Sequence, residues 1–158
     1  MRVFFTALLV LVVASVCAAA DLKIVRVWPG YRTAESFERI SEYLGKDEGA
    51  RGQLILRTQP ATRAGYYFLL RVNNSAAAIA DAKIELQVIT PFSSEPKTYN
   101  FTCTLPAKSH ALNLGLTGTD WIGKPKDEVV AWQLRLLSPT GAELAKAQSH
   151  LWSLPDKK

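Results

Sequence analysis

The pattern of apolar and polar positions changes sharply near residue 21. Before it, Met1 and Arg2 provide a short charged start, residues 3–13 are apolar except for Thr6, and residues 14–20 are mostly small. This order is typical of a secretory signal peptide. The apolar run is shorter than the roughly 20 residues that a membrane-spanning helix needs. We therefore predict a signal peptide at 1–20 and a mature chain that begins at Asp21, with no transmembrane segment after cleavage.

Cys17 raises the alternative of a lipoprotein, which would be cleaved just before the cysteine and acylated on it. Bacterial lipoprotein signals carry a Leu-like residue at position −3 and a small one at −1, whereas Ala14 and Val16 stand there in this chain. We expect the protein to be exported to the periplasm or the medium without a lipid anchor, and the style of the signal favours a bacterial source.

After Asp21 the chain shows short β-like runs separated by turn residues. The segment 83–90 is the clearest, because Ile84, Leu86 and Val88 alternate with polar neighbours, which is the period of a half-buried strand. Trp28-Pro29-Gly30 is expected to end the first strand. The predicted strands cover 22–27, 53–57, 65–72, 83–90, 97–105, a segment marked by Leu112, Leu114 and Leu116, 129–137 and 143–152.

One segment near the N-terminus has a helical pattern instead. Thr33 can cap a helix in which Phe37, Ile40 and Leu44 share one face, and Gly45 can end it. We predict one short helix here, packed against an edge or end of a sheet.

These elements favour a mainly β fold. The segments 83–90 and 97–105 are predicted to form one hairpin, and the turn at 138–141, with its Pro and Gly, predicts another. We predict a single domain over 21–158, an antiparallel β-sandwich of seven or eight strands, with a barrel as the alternative. Its strand count and spacing are similar in outline to those of immunoglobulin-like and fibronectin-type sandwiches, although the paired cysteines of antibody domains are missing.

Charge and cysteine content narrow the possible functions. Without Arg2, the mature chain has 18 Lys and Arg against 14 Asp and Glu, a formal charge of +4. The basic residues are scattered singly, so we predict no nucleic-acid partner. Cys103 is the only cysteine after cleavage and cannot form an intramolecular disulfide. It alternates with Tyr99, Phe101 and Leu105, which predicts a buried, unreactive thiol.

The sequence offers no clear catalytic motif. His110 and His150 are the only histidines, with no metal-like spacing, and no nucleophile motif surrounds any serine. Asp120, Asp127 and Glu128 gather beside Trp121, but turn capping and a solvated strand start explain them better than acid–base chemistry. We therefore predict a protein that is not an enzyme and has no metal or cofactor.

Aromatic residues are the best candidates for a binding site. Trp28 and Tyr31 flank Pro29-Gly30, and Trp121 lies in a second irregular segment, so all three are predicted on loops. Exposed rings can stack against sugars or anchor a protein partner. The alternative is that each tryptophan seals an end of the core.

Taken with the signal peptide, these features predict an exported, non-catalytic binding or scaffolding module of the cell envelope or extracellular space. Its partner would be a protein or a glycan, and the chain is expected to be monomeric. The alternatives are a carbohydrate-binding accessory domain, a small secreted hydrolase and a periplasmic chaperone.

Overall fold

The computed structural model of this chain describes residues 22–37 and 53–153. The predicted signal peptide at 1–20, with Cys17 and the cleavage site before Asp21, lies outside the described residues. No helix in the described part of the chain is long and apolar enough to cross a membrane. The strands are β1 Leu22–Arg32, β2 Gln53–Arg57, β3 Gly65–Asn74, β4 Ile79–Thr90, β5 Ser93–Leu105, β6 Lys108–Thr117, β7 Ala131–Leu137 and β8 Glu143–Gln148.

The eight strands form two four-stranded sheets, an arrangement consistent with a β-sandwich. Sheet A has the strand order β1-β3-β6-β2, and sheet B has the order β5-β4-β7-β8. All neighbouring strands are antiparallel except β2, which runs parallel to β6. The mainly β prediction is therefore confirmed.

Both sheets contribute to one hydrophobic core. Every second residue of the central strands points inward, as the period of a half-buried strand requires. In β4, for example, Ile84, Leu86 and Val88 are completely buried, and the residues between them are at least partly exposed. The largest fully buried side chains of this core are Phe68, Leu70, Val72, Ile84, Leu86, Leu105, Leu112, Leu114, Leu116, Leu134 and Leu136. Tyr67 is also fully buried, but it points to the other face of β3, where its ring contacts Phe37.

The two predicted hairpins are confirmed. Strand β4 pairs with β5, and β7 pairs with β8, both in antiparallel register. In the second hairpin the backbone N–H of Ser138 donates to the carbonyl of Ala142 at 2.8 Å, and Gly141 has a φ of +91°. Glycine adopts this conformation without the steric cost that a side chain would add.

The predicted end of the first strand is wrong. Strand β1 continues through Trp28-Pro29-Gly30 to Arg32, and Pro29 stands opposite Phe68 of β3. This is possible because β1 is an edge strand, where the missing N–H of proline need not interrupt a ladder on the open side.

The helices also differ from the prediction. Residues 35–37 form a helical turn, in which the backbone N–H of Phe37 donates to the carbonyl of Ala34, but the rest of the predicted helix lies outside the described residues. The two short helices described in full are both 3-10 helices, at Gly118–Asp120 and His150–Ser153, far from the N-terminus. The second of these replaces the last residues of the predicted final strand.

Candidate functional site

The predicted site residues Trp28 and Tyr31 point to opposite sides of sheet A. Both lie inside β1, not on a loop, and the side chains of a strand alternate between its faces. Tyr31 packs against the core. Trp28 is 41% exposed and lies on the outer face, where the guanidinium carbon of Arg26 is 4.6 Å from its ring centroid.

The third predicted residue, Trp121, is a core residue. It follows the 3-10 helix at Gly118–Asp120 and is only 6% exposed. Its ring lies 4.5 Å from that of Tyr66 and 5.9 Å from that of Phe92, measured between centroids. Tyr66 stands opposite Tyr31 in the register of β1 and β3. Tyr31 and Trp121 therefore lie at the same end of the core, and the structure does not bring Trp28 to them.

The charged residues of the two sheets are distributed very unequally. The four strands of sheet A contain six Lys and Arg and no Asp or Glu, whereas those of sheet B contain four basic and four acidic residues. The excess positive charge of the strands thus belongs entirely to sheet A. Its six basic residues are Lys23, Arg26, Arg32, Arg57, Arg71 and Lys108.

Most of this charge lies on the outer face along β1. Lys23, Arg26 and Arg32 of β1 and Arg71 of β3 are exposed, and they flank the exposed Trp28. None of the four basic side chains forms an ion pair with another residue in the described part of the chain. We call these five residues the basic strip.

The register of the strands brings two charges of the same sign together within the strip. Arg26 of β1 stands directly opposite Arg71 of β3. Like charges in this position destabilise a sheet. Sheet B shows the contrary arrangement, because Glu85 stands opposite Arg135 and the two form an ion pair at 2.5 Å. In sheet A, Arg26 instead lies over the ring of Trp28, and neither arginine of the pair has an acidic partner among the described residues.

A second exposed feature lies at the end of the molecule near Trp121. Phe92, Ile122 and Val130 are 46%, 72% and 46% exposed, and we call them the apolar end patch. Phe92 contacts the ring of Trp121, and a Cβ placed on Gly123 would come within 3.0 Å of both rings. Phe92 of the patch therefore belongs to the aromatic cluster, with Trp121 and Tyr66, that closes this end of the core.

A shallow cleft of about 230 Å³ lies between β2 and β5, which are the edge strands of the two sheets. Its single charged side chain, Arg57, is already engaged, because its Nε donates to the hydroxyl of Tyr67 at 2.8 Å and its guanidinium lies 5.0 Å from the ring centroid of Phe37. The cleft is lined by Ile55, Leu56, Arg57, Pro60, Phe101 and Thr102.

Two of the three carboxylates near Trp121, those of Asp120 and Asp127, accept hydrogen bonds that hold their loops. Asp127 accepts a hydrogen bond from the backbone N–H of Lys124 at 2.6 Å, and Asp120 accepts one from the side chain of Gln59 at 3.4 Å. His110 lies in β6 opposite Val72. No cluster of three or more His, Cys, Asp and Glu side chains suited to a metal ion occurs within residues 22–37 and 53–153.

Cys103 has the surroundings of a core residue. It packs against the core on the same face of β5 as Phe101 and Leu105. Burial raises the pKa of its thiol to about 11. Because the thiolate is the nucleophilic form, this thiol is poorly suited to catalysis at neutral pH.

Comparison with known proteins gives this chain no family. No protein-family model matches it. A search of curated proteins gives no match either.

The basic strip was not predicted from the sequence, since its charges are separated along the chain and form no run. One signal was present: the segments that became β1, β2, β3 and β6 contain no acidic residue. That signal has meaning only when it is known that these four segments share a sheet. The order of strands in a sheet depends on contacts between distant segments and cannot be read from local patterns.

Proposed function

We propose that this chain is an exported, non-catalytic binding module of the cell envelope or extracellular space, and that it binds its partner through the basic strip. One observation carries this proposal: four exposed basic side chains and an exposed tryptophan share one face of a sheet whose strands contain no acidic residue. Such a surface attracts anionic partners and speeds their association.

The arginine pair strengthens the proposal. Like charges directly opposite each other on a sheet are expected to lower its stability, and neither Arg26 nor Arg71 has an ion pair among the described residues. The contact of Arg26 with the ring of Trp28 leaves its positive charge without an anionic partner. An anionic partner would neutralise both charges and remove the repulsion.

We also propose that the sandwich is of the immunoglobulin-like or fibronectin-like type. In such folds strands A, B and E lie side by side in one sheet and C, F and G in the other, and some members add C′ next to C. The orders β1-β3-β6 and β5-β4-β7-β8 match A-B-E and C′-C-F-G. The departure is β2, which precedes β3 in the chain and lies parallel to β6 at the sheet edge. Domains with this outline commonly serve as binding modules, and their function depends on the particular site they carry.

Co-sedimentation of the mature protein with the cell-envelope fraction of its source tests the proposed surface. The test variant combines Lys23→Gln, Arg26→Gln and Arg71→Gln. The control combines Lys83→Gln, Lys97→Gln and Lys146→Gln, which removes three exposed basic residues from sheet B. Both variants lose three positive charges. A difference in their sedimentation therefore shows that the position of the charges matters and not only their number.

We expect the wild-type protein and the control to sediment with the envelope at low salt, and the strip variant to remain in the supernatant. Binding should weaken as salt increases, because exposed charges are screened. Equal sedimentation of the two variants, with both shown to be folded by circular dichroism, would refute the basic strip as the binding surface.

A further inference from the structure

We infer that the partner of the basic strip is an anionic polysaccharide, an inference that rests on the proposed function. The positive charge of the basic strip favours an anionic partner. Among the described residues, the four basic groups of the strip have no acidic partner, and three of them are guanidinium groups, those of Arg26, Arg32 and Arg71. Guanidinium binds carboxylate, phosphate and sulfate groups with two parallel hydrogen bonds.

The basic strip is long and narrow. Lys23 and Arg32 mark the ends of the strip along a single strand, and at about 3.3 Å per residue they are roughly 30 Å apart. The exposed residues Val25, Arg26 and Trp28 lie between them, and the register of β1 shifts between Ile24 and Arg26. A surface of this length suits an extended polymer with repeated charges, since several weak contacts then act together.

The aromatic ring of Trp28, in the middle of the strip, favours a partner that contains sugar rings. Trp28 is 41% exposed, and the guanidinium of Arg26 lies over one face of its ring, so a sugar would pack on the part of the ring that Arg26 leaves open. The flat apolar surface of an indole ring can pack against the C–H groups of a sugar, while the neighbouring guanidinium binds an acidic substituent. A sugar acid presents both features in one unit, whereas an acidic polypeptide presents only the carboxylate.

Four probes separate the classes of anionic partner. Polygalacturonate and polyglutamate each carry one carboxylate per unit, but only the first has sugar rings. Dextran supplies sugar rings without charge, and vesicles of phosphatidylglycerol supply an anionic lipid surface. Affinity is measured by calorimetry or vesicle sedimentation for the wild-type protein, Trp28→Ala, Trp28→Phe, and the two triple Gln variants described above.

We expect the wild-type protein to bind polygalacturonate more tightly than polyglutamate, dextran or vesicles. Trp28→Ala should weaken polygalacturonate binding roughly tenfold, as for a central aromatic contact, and Trp28→Phe should weaken it less. The three Gln substitutions in the strip should weaken it roughly tenfold or more, because exposed ionic contacts each contribute a small factor. The sheet B control should bind like the wild-type protein.

Equal affinity for polyglutamate, tighter binding to vesicles, or unchanged polygalacturonate binding by Trp28→Ala would overturn the polysaccharide assignment. Any of these results would leave the proposed function standing, provided that the strip variant still loses binding. If both triple variants kept their binding, the basic strip would instead be refuted as the binding surface.

Discussion

Two tryptophans of this chain have opposite environments. Trp28 is 41% exposed on the outer face of β1, and Trp121 is 6% exposed and packed between Tyr66 and Phe92. Both stand near glycine in the sequence, so local context favours neither environment for either ring. The difference comes from the strand register for Trp28 and from contacts with distant aromatic rings for Trp121.

This difference predicts unequal effects of truncation. Trp121→Ala should lower the free energy of unfolding by about 3–5 kcal/mol, because it leaves a cavity among buried rings. Trp28→Ala should change it by less than about 1 kcal/mol, since much of the ring is already in water. Urea unfolding of the two variants measures both values. A larger loss for Trp28→Ala than for Trp121→Ala would mean that the assignment of the two environments is wrong.

Buried titrating groups predict a loss of stability at alkaline pH. Burial raises the pKa of the Cys103 thiol from 9.0 to about 11, and it also raises the pKa values of Tyr66 and Tyr99. The folded state therefore holds these protons more tightly than the unfolded state does. For Cys103 this contribution to stability is complete below pH 9 and is lost as the pH rises through about 11, and the two tyrosines act in the same direction.

Unfolding of wild-type protein and Cys103→Ala at pH 8, 9 and 10 measures this effect. The wild-type protein should lose stability from pH 9 to 10 more steeply than Cys103→Ala, which lacks the thiol proton. Iodoacetamide should also label the native thiol far more slowly than the urea-unfolded one. Parallel pH profiles with rapid native labelling would show that the thiol is accessible.

At the level of elements, the strands could be predicted well where one face is buried. Period-two alternation reflects that burial directly, as in β4, where Ile84, Leu86 and Val88 are buried as expected. Strand β2, which shows no such alternation, was nevertheless predicted with its observed bounds, Gln53–Arg57. The prediction failed at β1 because Pro29 and Gly30 normally interrupt strands. They are tolerated here since β1 lies at the edge of sheet A, and edge position depends on which strands pair.

The pairing of β1 with β3 predicts an unusual gain in stability. Replacing Arg71 by Gln removes the repulsion from Arg26 while keeping a long polar side chain, so unfolding should cost about 0.2–1 kcal/mol more. The matched control is Arg135→Gln in sheet B, which breaks the ion pair with Glu85 and should lower stability. Urea unfolding at low and high salt measures the free energy of unfolding of the two variants. A loss of stability in Arg71→Gln would indicate that this arginine has a stabilising contact.

At the level of the whole molecule, composition gave a net charge but not its location. The full chain has a formal charge of +5, and the strands of sheet A hold six basic residues that come from four separate segments. The sequence could predict a mainly β fold and could flag Trp28 as a candidate. It could not predict the basic strip, because the strip exists only after the strands are assembled.

NMR titration of the isotope-labelled mature protein with short polygalacturonate chains tests most directly whether the basic strip is the binding surface. The account predicts that the largest shift changes occur at Lys23, Arg26, Arg71 and the indole N–H of Trp28, and that the triple Gln variant of the strip loses them. The apolar end patch and the cleft between β2 and β5 should change little. Largest changes at Phe92, Ile122 or Pro60, or equal changes in the strip variant, would contradict the account.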